Sequence, residues 1–298
     1  MVKLKRSIFG VGAILLALIF MGYSDKGQDS TGSTSEEIAE RCSAKEQNST
    51  VFLHISHRGG CDSIPENTGE ALTYALDRGF DGVELDVWET NSGELLVFHD
   101  ATLERMCNSE KYIWEISTEN RNQYPIQFES DEKGIVDIPI PTLGEVLDAL
   151  KDKQCPIYLH IKIDKDAEHY FTKEAAGEVV ALLKERDLVE NAIIFSTYQD
   201  TVMGLFLNQN LHLGYITGQT EREILNDKIA WCVENHVETL ILYKMDGIKL
   251  EENGVSLVKA CHENGLSVGV YKVKTKEDEQ ILIETGADFS ISKKAFFK

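Results

Sequence analysis

Short apolar runs rich in β-branched residues alternate along this chain with longer segments whose apolar positions recur at helical spacing. Each run has the length of a buried strand, and regular alternation of strand and helix is typical of parallel α/β folds. Eight such runs lie at residues 51–57, 82–88, 156–163, 192–196, 211–216, 237–243, 266–272 and 287–292. Repetition of this kind predicts a (β/α)8, or TIM, barrel.

The segments between the predicted strands carry helix signals. In one of them Leu72, Ala75 and Leu76 recur at helical spacing. Thr142 and Glu145 have the spacing of a capping box at the start of another. We therefore predict helices over residues 66–78, 143–151, 171–186 and 251–264.

Residues 94–141 interrupt the alternation. An extra strand is predicted at 94–99, and a polar stretch containing Trp114, Tyr124 and Phe128 follows it. The stretch is too long for a simple connection within a compact domain. We expect it to be a small insertion after the second barrel strand that shapes the mouth of the substrate site.

The N-terminal residues 1–24 have the composition of a targeting segment. A basic start precedes an apolar run at 8–21, and small residues follow it. Two outcomes stay open: a cleaved signal peptide, or an uncleaved anchor formed by residues 8–23. Residues 25–50 are predicted to be a polar linker and 51–298 the barrel domain. Either outcome predicts a secreted or extracytoplasmic protein, and the second predicts membrane association through the N-terminus.

The charge balance restricts the partners. The formal net charge is −20, which argues against a nucleic-acid partner. An anionic small-molecule substrate would gain no long-range attraction from such a surface. Its binding must depend on a few local cations. The sequence does not indicate an oligomeric state.

Six cysteines are present, and an exported chain can form disulfides. Cys61 and Cys107 both follow strands that end near the predicted site, so a bridge between them is one hypothesis. Cys232 and Cys261 occupy matching places in consecutive predicted helices and form a second hypothetical pair. The alternative for this second pair is two buried thiols that pack as small apolar side chains.

Residues that can perform chemistry gather at the ends of the first strands. Glu84 and Asp86 alternate onto one face of a strand, where two carboxylates repel each other unless a cation lies between them. A divalent metal is the simplest answer. His57 and His99 end neighbouring apolar runs and can act as base and acid near neutral pH. Arg58 provides donors suited to a phosphate group.

The series H-R-G, P-E-N-T, E-L-D and H-D, read from residue 57 to residue 100, resembles the glycerophosphodiester phosphodiesterase family in order and spacing. The resemblance implies a TIM barrel with a small insertion after its second strand. It also implies one divalent metal ion, of which Mg, Ca, Mn and Zn are candidates. The implied reaction hydrolyses a glycerophosphodiester to sn-glycerol 3-phosphate and an alcohol. His57 and His99 are then catalytic, Arg58 binds the phosphate, and Asn67 orients either a neighbouring side chain or the phosphate.

The sequence departs from the family pattern at two strands. The third strand has H-I-K where the family has E-I-K, so His160 takes the place of a metal-binding glutamate and Lys162 that of a phosphate contact. The predicted metal ligands are therefore Glu84, Asp86 and His160, a set that favours manganese or zinc over calcium. In the seventh strand Tyr271 stands where the family has a tryptophan, and we expect it to form an aromatic wall of the substrate site.

Two other functions stay open. One is a phospholipase D-like enzyme that acts on lysophospholipids or sphingolipids with the same two histidines. The other is a catalytically impaired surface protein that kept the barrel as a binding scaffold, with His160 as the sign of decay.

Overall fold

The computed structural model describes residues 51–60, 64–130, 134–198, 202–207 and 209–296. The predicted leader and linker, residues 1–50, and Cys61 lie outside these ranges. Among the residues described, no helix combines the length and the apolar character that crossing a membrane requires.

Parallel strands form a closed barrel. Each pairs with the next along the chain, and the first pairs with both the second and the last, which closes the sheet. The eight strands are β1 (Leu53–His57), β2 (Gly82–Glu89), β3 (Ile157–Ile161), β4 (Ala192–Ser196), β5 (His212–Thr217), β6 (Thr239–Leu242), β7 (Ser267–Val273) and β8 (Phe289–Ser292). The predicted (β/α)8 barrel is confirmed.

Helices surround the barrel and cover the outer face of its strands. The longer ones are α1 (Gly69–Asp77), α2 (Leu143–Leu150), α3 (Lys173–Glu185), α4 (Arg222–Glu234), α5 (Leu257–Glu263) and α6 (Lys276–Thr285). The capping box predicted for α2 is present, because Thr142 Oγ1 accepts from the Glu145 amide and Glu145 accepts from the Thr142 amide. Short α-helices occur at Glu104–Cys107 and Met245–Ile248, and 3₁₀ turns at Ile113–Glu115, Arg121–Gln123, Val189–Asn191 and Met203–Leu205.

One predicted helix is too long at its start. The helix expected over 251–264 begins at Leu257, because Glu251–Glu252 and Val255–Ser256 form a small antiparallel hairpin. The turn is Asn253-Gly254, and both residues have positive φ values, 53° and 78°. Asn-Gly is a strong signal for a tight hairpin turn. It outweighs the helical spacing of the residues around it.

Alternation of side chains along the strands divides the core in two. One apolar cluster, which includes Ile55, Phe195 and Phe289, fills the barrel interior. A larger cluster lies between the strands and the helices and includes Val83 and Leu85. The residues between them in β2 therefore face the interior, where they can meet side chains from the other strands.

The segment predicted as an insertion forms its own small layer beside the end of β2. Strand Leu95–Val97 pairs antiparallel with β2, and strands Ile126–Ser130 and Gly134–Ile138 pair antiparallel with each other. A separate apolar cluster that contains Trp88 and Trp114 holds the segment together. The amide of Phe98 donates to the carbonyl of Asp86 at 3.1 Å, so the chain after the extra strand stays close to the end of β2.

The cysteine hypotheses have different outcomes. Cys232 and Cys261 are fully buried free thiols in the outer core, so the proposed bridge between them is wrong and the packing alternative holds. Burial raises the pKa of each thiol to about 12, which keeps both protonated. Cys107 is also a buried free thiol, and its proposed partner Cys61 lies outside the described residues.

The crowding inside β7 gives a test of the barrel packing. A Cβ atom on Gly269 would lie 2.4 Å from the carbonyl oxygen of Phe289, whereas one on Gly177 in α3 would meet nothing within 4 Å. We expect Gly269→Ala to lower the free energy of unfolding by at least about 2 kcal/mol through overpacking. Gly177→Ala should raise it by about 0.5–1 kcal/mol, because alanine favours a helix interior. Urea unfolding measures both, and similar values for the two variants would contradict the close packing.

Candidate active site

The pairing register brings the predicted site residues together at one rim of the barrel. His57 at the end of β1 lies opposite Glu84 in β2, and Asp86 lies opposite His160 in β3. Parallel strands all end at the same rim, so these four side chains face a common space. Lys162 follows β3 directly, and its amide is bonded to the carbonyl of Val87. The placement agrees with the inward alternation predicted from the sequence.

Three of these side chains form a cluster that fits a divalent metal. Glu84, Asp86 and His160 each offer one ligand atom, and these atoms lie within 4.8 Å of one another. The two carboxylates are completely buried. Within the described part of the chain, Glu84 Oε2 and His160 Nε2 have no hydrogen-bond partner. Buried polar atoms without partners are costly, and a cation would satisfy both of them.

The protonation of the cluster supports the same conclusion. Burial and then the neighbouring Asp86 charge raise the pKa of Glu84 to about 8, which reports a deficit of positive charge. Burial and then Lys162 lower the pKa of His160 to about 4, so its imidazole is neutral at pH 7. A neutral imidazole is the form that binds a metal. The ring is held flat against Phe195, with centroids 4.7 Å apart.

Asp86 is the most heavily contacted residue of the site. Its carboxylate accepts from Asn67 Nδ2 at 3.1 Å and pairs with His160 Nδ1 at 3.0 Å. Arg58 Nε lies at 3.1 Å and Lys162 Nζ at 3.5 Å. Burial alone would raise the pKa of Asp86, but Lys162, the His160 hydrogen bond and Arg58 together hold it well below its usual range. The carboxylate is therefore ionised at neutral pH.

A strained loop after β1 presents two of these partners. Arg58 and Asn67 both have positive φ values, 58° and 63°, and the amide of Asn67 donates to the carbonyl of Arg58 at 3.0 Å. Gly59 between them has a φ of 93°, and a Cβ there would lie 2.6 Å from the Cβ of Ala71. Only glycine fits that position, so the H-R-G motif is required by the backbone as well as by the chemistry.

His57 is buried and neutral. Burial, and then the charge of Arg58, lower its pKa to about 2. Its Nε2 lies 3.0 Å from the hydroxyl of Tyr271, which in turn donates to Glu84 Oε1 at 3.0 Å. Its Nε2 is also 3.8 Å from Glu84 Oε2, so this nitrogen faces the carboxylate cluster.

Tyr271 differs from the expectation. Its ring is only 2% exposed, so it does not form an open aromatic wall. It packs edge-on against His57 inside the barrel instead, with centroids 5.0 Å apart. The hydroxyl, which a tryptophan would lack, needs a polar partner when buried and finds two, on His57 and Glu84.

His99 occupies a different environment from His57. Its side chain is 26% exposed, and its Nδ1 lies 2.6 Å from Asp100 Oδ1. The amide of Phe98, the preceding residue, donates to the carbonyl of Asp86, so His99 follows directly on a contact with the end of β2. A carboxylate bonded to Nδ1 fixes the orientation of the ring and leaves its other nitrogen available to further partners. The two histidines therefore differ in burial and in their partners: His57 is buried against Tyr271, and His99 is partly exposed and bonded to Asp100.

Comparison with known proteins agrees with this geometry. The sequence model of the glycerophosphoryl diester phosphodiesterase family matches residues 57–292. A glycerophosphodiester phosphodiesterase of Caldanaerobacter subterraneus subsp. tengcongensis is 30% identical over 239 residues, which covers 79% of this chain and 91% of the relative. The chain belongs to this family.

Solved structures of the family share the fold. A phosphodiesterase structure from Silicibacter pomeroyi, named as a putative glycerophosphoryl diester phosphodiesterase, has a TM-score of 0.67 at 20% identity, covering 82% of this chain and 90% of that one. An Oleispira antarctica phosphodiesterase, solved in complex with sn-glycerol-3-phosphate, has a TM-score of 0.62 at 20% identity, covering 81% and 92%. The predicted family and its enzyme class, phosphoric diester hydrolase, are confirmed.

Glu66 belongs to the site, although its sequence context indicated only a carboxylate near a helix start. It accepts from Arg58 Nη1 at 3.1 Å, Arg105 Nη2 at 2.6 Å and Lys293 Nζ at 2.9 Å. Arg105 also binds Asp100 through Nε at 2.6 Å. Glu66 thus connects the loops that carry both histidines of this phosphodiesterase. The P-E-N-T motif includes Glu66, but nothing in the sequence indicates these contacts, because its partners come from three separate segments.

The ion network around Glu66 predicts a specific dependence of stability on pH. Burial would raise the pKa of Glu66, but Arg58 and the hydrogen bonds from Lys293 and Arg105 lower it to about 2. A depressed pKa stabilises the fold above the unfolded value and is lost as the pH falls through the folded value. We expect Glu66→Gln to lower the free energy of unfolding by about 2 kcal/mol at pH 7.

This deficit should shrink between about pH 5 and pH 2, because wild-type Glu66 itself becomes protonated there. Chemical unfolding at several pH values measures it. Glu70→Gln, at an exposed carboxylate four residues later in α1, is the control and should show almost no deficit. A Glu66→Gln deficit that is constant from pH 7 to pH 2 would contradict the network.

Proposed function

We propose that this chain hydrolyses glycerophosphodiesters to sn-glycerol 3-phosphate and an alcohol, with one divalent metal held by Glu84, Asp86 and His160. The observation that carries the proposal is this buried cluster, with ligand atoms within 4.8 Å of one another, next to the neutral histidine His57. Family membership supports the substrate class. The Oleispira relative was solved with sn-glycerol-3-phosphate, the product expected here.

The metal and the basic side chains have different electrostatic roles at the phosphoryl group. A divalent cation bound there would lower the pKa of a hydroxyl group beside it and neutralise charge that develops on the phosphoryl group. Arg58 and Lys162 lie at the same carboxylate, Asp86, and hold the phosphoryl oxygens when the substrate is present. Asn67 keeps Asp86 oriented through two hydrogen bonds.

The histidines move the protons. His57 is uncharged and removes the proton of the glycerol 2-hydroxyl, which attacks phosphorus. His99, bonded to Asp100, donates a proton to the leaving alcohol. The resulting cyclic phosphate is opened by water, with His99 as base and His57 as acid. Atoms and charge balance because each proton removed in one step is returned in the next.

Metal preference follows from the nitrogen ligand. Dialysis against a chelator should lower activity at least about 100-fold, and manganese or zinc should restore it better than calcium. His160→Glu, which restores the family residue, should shift the preference toward calcium and magnesium. The measurements are activity with glycerophosphocholine and the rise in Tm on adding each metal. The prediction would be contradicted if calcium at micromolar concentration supported more activity than manganese.

The assignment of the two histidines depends on the leaving group. His57→Ala should lose about 10²–10⁴-fold in kcat on any diester, because the attacking hydroxyl must always be deprotonated. His99→Ala should lose as much with glycerophosphocholine but less than about tenfold with a glycerol nitrophenyl phosphodiester, whose nitrophenolate leaves without a proton. If both variants lost the same factor in kcat on both substrates, the assignment of His57 as base and His99 as acid would be wrong.

The N-terminal segment favours a rival substrate class, the lysophospholipids and sphingolipids. An anchor at residues 8–23 would hold the barrel at a membrane, where lysophospholipids and sphingolipids are found. Product analysis with glycerophosphocholine and lysophosphatidylcholine separates the two, because the second releases a lysophosphatidate rather than glycerol 3-phosphate. Turnover of either substrate would exclude a protein that only binds its ligand. We further propose export through residues 1–24, which mass spectrometry of the mature N-terminus would test.

A further inference from the structure

Strand β7 contains a bulge at Lys272. Tyr271 pairs with Ile291 of β8 and Val273 pairs with Ser292, so Lys272 is left without a partner in the register. Its φ is 62°, a left-handed value that is unfavourable for a long side chain inside a strand. Bulges at barrel rims redirect side chains, and local strain of this kind gathers at functional sites. The bulge makes Lys272 a candidate for a role in this site.

The ammonium group of Lys272 lies beside two aromatic rings. It donates a hydrogen bond to the hydroxyl of Tyr243 at 2.7 Å. It is also 5.0 Å from the ring centroid of Tyr243 and 5.4 Å from that of Tyr271. Tyr243 directly follows β6 and is 40% exposed, so this group lies at the open end of the barrel.

This ammonium is close to the proposed chemistry. Tyr271, one of its two rings, is bonded through its hydroxyl to both His57 and Glu84. Lys272 is also among the charges that act on the His57 imidazole. Lys272 therefore lies next to the residue that contacts both His57 and Glu84.

Lys272 differs from the other cations of the site in its partners. Arg58 and Lys162 are paired with Asp86, and Arg105 and Lys293 with Glu66. Lys272 forms no ion pair with a carboxylate among the residues that the structure describes, and its hydrogen bond goes to a neutral phenol. In a chain of net charge −20, a cation kept away from carboxylates is available to an anionic ligand.

We propose that Lys272 and the Tyr243 hydroxyl bind a second anionic group, carried by the alcohol portion of the diester. The proposal rests on the proposed function and narrows its substrate class to diesters whose alcohol bears a phosphate or similar oxyanion. The Tyr243 oxygen accepts from Lys272, so its own hydrogen can be donated to the same anion.

The rings of Tyr243 and Tyr271 give a second reason to expect an anionic group at this subsite. Two tyrosine rings 5.7 Å apart could receive a quaternary ammonium by cation–π contact, as choline sites do. Here the lysine of the same chain takes that place and would repel a choline head group. The subsite therefore selects for negative charge and against positive charge.

A matched pair of substrates tests the proposal. Deacylated phosphatidylglycerol and deacylated cardiolipin share the glycerophosphoglycerol unit, and the second carries one further phosphodiester. We expect wild-type kcat/KM per diester to be about tenfold higher for deacylated cardiolipin, the size of one charge-assisted hydrogen bond. Glycerophosphocholine should be the poorest of the three substrates.

Variants assign the preference to the subsite. Lys272→Gln should reduce the ratio to about one, and Tyr243→Phe should reduce it about threefold, because one donor is lost. Lys274→Gln removes the same charge two residues away at an exposed position and should leave the ratio unchanged. Thermal unfolding of each variant verifies that it is folded.

The outcomes separate this proposal from the proposed function. A wild-type ratio near one, or a ratio that survives Lys272→Gln, overturns the subsite while hydrolysis itself stands. Equal losses of Lys272→Gln on all three substrates also overturn it, because the lysine would then bind the reacting phosphate. If no substrate is hydrolysed, the proposed function fails. Calorimetric titration of the manganese-loaded protein with deacylated phosphatidylglycerol and deacylated cardiolipin then tests the subsite separately, as the ratio of the two affinities.

Discussion

Two carboxylates, Glu84 and Asp86, are buried side by side in the mouth of this barrel, and most of the site compensates for them. Alternation along β2 turns both inward, and neither is reached by solvent. Buried like charges are tolerated only when cations or protons compensate them. Asp86 receives that compensation from Arg58 and Lys162, while Glu84 is left with the hydroxyl of Tyr271 and a raised pKa. The imbalance is the physical reason for placing a divalent cation beside Glu84.

The same constraint explains why the loops around the site are connected. Arg58 forms an ion pair with Asp86 through Nε and donates a hydrogen bond to Glu66 through Nη1. The arginine that compensates the charge of Asp86 is therefore itself held in position by Glu66. Glu66 continues through Arg105 to Asp100, which orients His99. Asp86 and His99 thus lie at two ends of one charged network. The barrel provides the rim, and this network fixes the loops above it.

The parts of the molecule that depend on local pattern were predictable from the sequence. The strand predicted at 192–196 has the same bounds in the structure, because polar residues on both sides of a short apolar run determine where the strand begins and ends. The inward pairs Glu84–Asp86 and His160–Lys162 followed from a period of two along the strands. The site was found because its members lie at strand ends and in motifs that resemble a known family.

The parts that depend on contacts between distant segments were not predictable. Glu66 meets Arg105 and Lys293 only because three loops converge, and no spacing along the chain encodes that. The burial of Tyr271 and the bulge at Lys272 both depend on the register between β7 and β8. The Cys232–Cys261 bridge failed for the same reason, because matching positions in consecutive helices do not determine a covalent pairing.

The central claim is that Glu84, Asp86 and His160 together hold one divalent cation. Anomalous X-ray diffraction from crystals grown with manganese locates such an ion directly. The account predicts one strong peak in this cluster, at about 2.0–2.4 Å from an atom of each of the three side chains. Manganese bound elsewhere on the barrel rim, or a cluster that keeps a protonated Glu84 and no ion at saturating manganese, would contradict it.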